Sequence, residues 1–173
     1  LLAMSMLVGR AFNFEAQNGG TLVMKLIPNA DSGQNTNATP AEFEMHTDDA
    51  AVPRGCRVQH ITLAGRVNPV GVATHFAPLT SALSKMYGED PKAANRALAV
   101  LSDERFQFAF PVSLGAGPGV WTSPRSILSV GPDGRLEISF PSYNTRTVDP
   151  NDLEGNEVMQ WLLQSLEAVK VSI

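Results

Sequence analysis

Residues 21–50 read TLVMKLIPNADSGQNTNATPAEFEMHTDDA. Thr21–Ile27 is a β-rich apolar run, and Asn18-Gly19-Gly20 in front of it is a hairpin signal, because Asn and Gly accept positive φ. Its expected partner is a second β-like run, Ala11–Ala16. Residues 28–40 are polar and turn-rich, so they read as a loop. The chain returns on a short strand, Phe43-Glu44-Met45-His46, and ends it with His46-Thr47-Asp48. Side chains at i and i+2 of a strand point to one face, so this imidazole and this carboxylate can converge on one point.

Working outward, Val58–Ala64 and Val70–Ala77 read as two more strands. Apolar spacings of three and four predict helices over Leu79–Tyr87 and Pro91–Leu101, within an insert spanning 78–102. Pro91 suits a first helical turn. Strands are expected at Arg105–Phe110, Ser126–Val130 and Arg135–Phe140, the last two joined by the turn Gly131-Pro132-Asp133-Gly134. A final long helix begins near Asp149-Pro150, with Asp152 and Glu154 in an acidic first turn. At the start, Leu1–Val8 reads as the end of a buried helix stopped by Gly9. Many short strands with helices confined to inserts predict a mainly β, antiparallel sandwich or jelly roll.

Bulk properties narrow the possible functions. The 173 residues are 43% hydrophobic and carry a net charge of −4. That apolar content excludes a disordered chain. The charge, without clusters of Lys or Arg, argues against a nucleic-acid partner. Apolar runs fall short of the ~20 residues of a membrane span. The single cysteine, Cys56, excludes an internal disulfide and fits a reducing, cytoplasmic compartment. The three histidines are His46, His60 and His75, so imidazole chemistry in this chain must use one of them.

A histidine and a carboxylate two residues apart, joined by a distant histidine, form the facial triad of non-haem Fe(II) oxygenases. The competing reading of His46-Thr47-Asp48 is a strand end on the surface. His60 is expected to be a half-buried structural residue within its strand, and His75 to point away from its neighbour Thr74. Gly115-Ala116-Gly117-Pro118-Gly119 reads as a surface loop rather than a phosphate cradle, since Pro118 removes an amide donor. Cys56 reads as an incidental thiol, and Trp121 and Trp161 as packing residues.

The 21–50 block resembles the clavaminate synthase-like branch of the Fe(II)/2-oxoglutarate-dependent oxygenases. In that family a strand of the type Gly-x-Leu-Val-x-x-Ile-x-Pro leads into a polar loop with a Gln, and returns on a strand ending His-Thr-Glu-Asp-Ala. Gly20-Thr21-Leu22-Val23, Ile27-Pro28, Gln34-Asn35-Thr36 and His46-Thr47-Asp48-Asp49-Ala50 fall in the matching order, with Asp for Glu at position 48. Pro53-Arg54 continues the match, while Ala51-Val52 stand where aromatics are expected. Val72-Ala73-Thr74-His75 fits the segment whose threonine meets 2-oxoglutarate.

The resemblance implies a double-stranded β-helix with His46 and Asp48 as iron ligands and Thr74 at the cosubstrate. It places Gln34, Asn35, Thr36 and Asp49 in the substrate region, where ordinary turn chemistry is the alternative for the loop residues. Cofactor and cosubstrate would be Fe(II) and 2-oxoglutarate, and the other partners a small-molecule substrate and dioxygen, with no nucleic acid or membrane involved. The family's distal histidine and its 2-oxoglutarate-binding arginine follow the long helix, where this chain ends. Both ends look cut, so residues 1–173 are expected to be one incomplete domain. Phe140–Arg146 lacks the carboxylates that would meet a basic amino acid, leaving a neutral or acidic one. Arg146 could meet a substrate carboxylate or be a solvated loop residue. The expected activity is hydroxylation or oxidation of an amino acid or a metabolite derived from one. Two other classes fit the residues: a non-catalytic jelly-roll ligand-binding module, and a cupin-like metal enzyme that does not use 2-oxoglutarate. Oligomeric state is not readable from the sequence.

Overall fold

The computed structural model describes residues 2–27, 44–58, 60–65, 68, 71–111 and 114–173. Its helical layer is built by local signals that the chain spells out. α1 (Leu2–Ser5) is a single turn, shorter than the helix expected over Leu1–Val8. α2 (Leu79–Glu89) runs up to Asp90, whose carboxylate then accepts from the Lys92 and Ala93 amides, both at 2.9 Å, to start α3 (Pro91–Ser102). Pro91 takes the first helical position, where a missing N–H costs nothing. Ala94, Ala97, Val100 and Leu101 of α3 are buried at helical spacing. α4 (Leu153–Ala168) starts later than the sequence suggests, because Asp152 is its cap and accepts from the Gly155 amide at 2.9 Å. Met159, Leu162 and Leu166 form its buried stripe, and α2 packs on both α3 and α4.

The strands are short and antiparallel. β2 (Phe106–Phe108) pairs with β5 (Thr145–Thr147) in the register Phe106↔Thr147, Gln107↔Arg146 and Phe108↔Thr145. The other edge of β2 bridges to Arg125, and Ala109 bridges to Trp121. β3 (Leu128–Val130) and β4 (Leu136–Ile138) form the expected hairpin. Its turn is closed by Gly131 N–H donating to the Arg135 carbonyl at 2.7 Å, with Gly134 at φ 78°. β1 (His75–Phe76) pairs with β6 (Val171–Ser172). Phe106, Phe108, Ile127 and Leu128 from the sheets, with Leu101 and Leu162 from the helices, are fully buried. They form the core between the layers.

Four expected strands take another form, among them Phe43–His46, whose described residues 44–46 are irregular. Residues 11–16 and 21–27 reverse direction at Asn18–Gly20 as anticipated, with Gly19 and Gly20 at positive φ, yet make no ladder. The Asn13 side-chain amide donates to the Thr21 carbonyl at 2.8 Å, taking an acceptor that a strand partner would use. Thr21–Ile27 is exposed throughout, so its β-propensity has no facing layer to pack against. His60–Ala64 is likewise irregular and exposed, with Leu63 at 67% exposure. His60 is therefore a surface residue and not the half-buried one expected. Of the strand expected at 70–77, residues 71–77 are described and only β1 forms a ladder.

Candidate metal centre

Thr47 fixes the segment that carries the two candidate ligands, which is irregular and not the strand expected there. Its N–H donates to the Phe140 carbonyl at 3.1 Å, and its hydroxyl accepts the Phe140 N–H at 2.8 Å. On either side of Thr47, His46 and Asp48 turn to the same face, although residues 46–48 belong to no ladder. His46 Nε2 stands 3.5 Å from Asp48 Oδ1. His46 Nδ1 donates to the Glu44 carbonyl at 2.7 Å, which assigns the ring proton to Nδ1 and the lone pair to Nε2. In the protonated ring, with Nε2–H donating to Asp48, that hydrogen bond raises the imidazole above its ordinary value of 6.5; burial opposes this, while the Glu44 carbonyl and the Asp48 charge add to it.

The Tyr143 ring packs edge-on to His46, with centroids 5.8 Å apart. Burial pushes the Tyr143 phenol up, and the Asp48 and Glu44 carboxylates add to the effect. The Tyr143 phenol therefore stays protonated at neutral pH. Ser142 donates to Glu44 Oε2 at 3.0 Å, so the 140–143 segment holds residues 44–47 at both ends.

The turn after Asp48 is more unusual. Asp49 sits at φ 56°, a left-handed conformation that costs a non-glycine residue on the order of 1–2 kcal/mol. Its Oδ2 accepts the Val58 N–H at 3.2 Å, and desolvation by burial raises its carboxyl. Expected among the substrate contacts, Asp49 thus places its carboxylate on the turn. Arg57 donates to the carbonyls of Val52 at 2.9 Å and Ala50 at 3.0 Å, and to Ser139 Oγ at 2.5 Å. Arg125 Nη1 reaches the carbonyls of Ala50, Ala51 and Val52 at 3.2–3.4 Å. Neither arginine was suggested by a sequence pattern, since both act on backbone oxygens.

Thr74 heads β1, exchanging backbone hydrogen bonds with Ile173 at 3.2 and 2.9 Å. His75 faces Ser172, its Nδ1 3.0 Å from the hydroxyl. Gln34, Asn35 and Thr36 lie outside the described residues. Arg146 lies on β5, not in a loop; its guanidinium stacks 4.0 Å over the Trp121 ring and donates twice to Gln107 Oε1. Cys56 is exposed in a turn, while Arg54 pairs with Glu137 and Arg57 holds carbonyls. Among the described residues no group of three His, Cys, Asp or Glu side chains converges.

Beside the 50–53 turn lies an open, largely apolar cleft of about 320 Å³, lined by Phe14, Ala16, Val52, Pro53, Phe110 and Leu114 with one carboxylate, Glu15. Sequence reading gave Glu15 no role, because the residues that surround it are distant along the chain.

No family model matches the sequence, and no curated protein does. Solved structures do. Over 95% of this chain and 48% of its own, the structure of asparagine oxygenase in complex with Fe(II), 2S,3S-3-hydroxyasparagine and succinate superposes with a TM-score of 0.73 at 20% identity. The fold is that of a non-haem iron oxygenase. The structure of the non-heme iron oxygenase OrfP with Fe, succinate and (3S)-hydroxy-L-Arg matches 99% of this chain and 50% of its own, with a TM-score of 0.64 at 17% identity. A mutant of OrfP in complex with (3S)-hydroxy-L-Arg gives a TM-score of 0.65 at 15% identity. The chain thus spans about half the length of these oxygenases. One imidazole nitrogen and one carboxylate oxygen, held on one face within 3.5 Å, are two of the donor types of a 2-His-1-carboxylate iron site. His46 and Asp48 fit that group, with Nδ1 already secured. No helix is long and apolar enough to cross a membrane.

Proposed function

We propose that the protein is an Fe(II)- and 2-oxoglutarate-dependent oxygenase that hydroxylates an amino acid or a metabolite derived from one. The observation that carries this is the pair His46 Nε2 and Asp48 Oδ1 sharing one face, with Nδ1 tied to the Glu44 carbonyl, inside an oxygenase fold. Residues 1–173 are read as part of one double-stranded β-helix, with the third protein ligand outside the described residues. Bound iron, with 2-oxoglutarate and dioxygen, would supply the oxidising chemistry; succinate in two of the matching structures is the remnant expected of that cosubstrate.

The residues of this chain bind and orient. Thr74 is the proposed contact for 2-oxoglutarate, and the Gln34–Thr36 loop a proposed substrate contact. Glu15, the carboxylate in an apolar cleft, suits the ammonium group of an amino acid. Tyr143 packs on His46 and shields one side of the pair from water. The single cysteine supports a reducing, cytoplasmic setting. The test is the protein with Fe(II), 2-oxoglutarate and a panel of amino acids. Succinate should form with the wild type and not with His46→Ala; equal turnover by that variant would refute the assignment.

A further inference from the structure

Asp48 has an exposed side chain, 53% accessible, and its direction is set by the backbone on either side of it. Upstream, Thr47 is tied twice to Phe140. Downstream, the chain bends through Asp49 at φ 56° and presents three successive carbonyls, from Ala50, Ala51 and Val52, to one place. Two guanidinium groups meet there. Arg125 is anchored in the sheet by exchanging backbone hydrogen bonds with Phe106 at 3.0 and 2.7 Å. Arg57 is anchored through Ser139, one residue from Phe140.

We infer that Arg57 and Arg125 are positioning residues for the metal ligand Asp48, acting through the carbonyls of Ala50, Ala51 and Val52; this rests on the metal-centre reading above. Two like charges are brought together here, and desolvation and the neighbouring Arg125 both lower Arg57 from its ordinary value. Such crowding is sustained because the converging carbonyls and Ser139 satisfy the guanidinium donors, and the Glu137 and Asp49 carboxylates offset part of the repulsion. A planar fork can serve two carbonyls at once, which a lysine ammonium cannot do in the same geometry. The turn is also held by Val52 N–H donating to the Asp49 carbonyl at 2.9 Å and Val58 N–H donating to Asp49 Oδ2. Without the clamp, however, the 50–52 carbonyls lose their guanidinium partners and the turn loosens. Its relaxation rotates the peptide that joins Asp49 to Asp48 and swings the Asp48 carboxylate away from His46 Nε2.

The experiment is Co(II) titration of the protein, read by binding calorimetry and by the visible absorption of the bound ion, with no turnover involved. Arg57→Gln and Arg125→Gln should each weaken Co(II) binding by about tenfold or more, the usual scale for residues that orient a ligand, and alter the Co(II) spectrum. Val100→Ala, a core truncation in α3, should lower Tm without moving either readout. Wild-type affinity and spectrum in both folded arginine variants would overturn the inference, as would equal weakening by Val100→Ala. Should a glutamine variant fail to fold, Arg57→Lys and Arg125→Lys are read against the same criteria. Absence of Co(II) binding by the wild type, or unchanged binding by His46→Ala, would instead overturn the metal centre itself, and this inference with it.

Discussion

Trp161, midway along α4, donates its indole N–H to Glu89 Oε2 at the end of α2 at 2.7 Å, tying together two helices that are far apart in sequence. Lys85 pairs with the other carboxylate oxygen one helical turn back. Together, Lys85 first, they hold the Glu89 carboxyl below its ordinary value of 4.5. A carboxyl depressed in the folded state adds stability that is present above the unfolded pKa and is lost as pH falls through the folded pKa. Thermal unfolding of Glu89→Gln should therefore depend less on pH than the wild type below about pH 4.5. Parallel Tm–pH curves through that range would refute this.

Ser165 is buried in α4, 1% exposed, and its hydroxyl has no hydrogen-bond partner among the described residues. Burying an unsatisfied hydroxyl costs on the order of 1–3 kcal/mol, and alanine also favours a helix. Ser165→Ala should stabilise the protein by ~1 kcal/mol in urea unfolding, with Co(II) affinity unchanged. A loss of stability would show that the hydroxyl is satisfied in solution.

Gly155 gives the opposite result. Helix propensity alone predicts that alanine there gains ~1 kcal/mol. However, a Cβ would stand 2.6 Å from Asp152 Oδ2 and 2.8 Å from Thr147 Cγ2. The first atom belongs to the cap of α4, and the second to a β-branched residue of β5 that is 4% exposed. Overpacking of this kind costs roughly 1–3 kcal/mol, so the clash wins. Gly155→Ala should lower the urea midpoint; a raised midpoint would mean that β5 and the cap yield cheaply.

Glu15 can be tested by its charge alone. If the cleft receives an ammonium group, Glu15→Gln raises KM for the amino-acid substrate by about tenfold, since hydrogen bonds to charged groups contribute roughly 1.5–3 kcal/mol. Co(II) affinity should stay at the wild-type level. An unchanged KM would remove Glu15 from the site.

The helical layer was legible because the apolar spacings, Pro91 and the acidic first turn at Asp152 are local signals that hold wherever the helix packs. The 131–134 turn was legible for the same reason. Residues 11–27 and 58–64 were not, since β-propensity becomes a ladder only when a partner strand and a facing layer are present, and here Asn13 and exposure intervene. At the site, His46 and Asp48 were readable from their two-residue spacing. Arg57 and Arg125 were not, because they recognise carbonyl oxygens, which every residue carries and no motif marks. Glu15 was hidden by distance along the chain.

The pairing of β1 with β6 joins segments 97 residues apart, as measured from His75 to Ser172. Everything between them, including all three long helices, is a loop that this two-residue ladder closes. Closing so long a loop carries an entropy cost that local contacts do not. The helices α2 and α3, joined through Asp90, can associate early, whereas β1 and β6 gain their hydrogen bonds only after the layers are in place. Thr74, held by that ladder, is therefore among the last parts of the proposed site to be ordered and the first to be released.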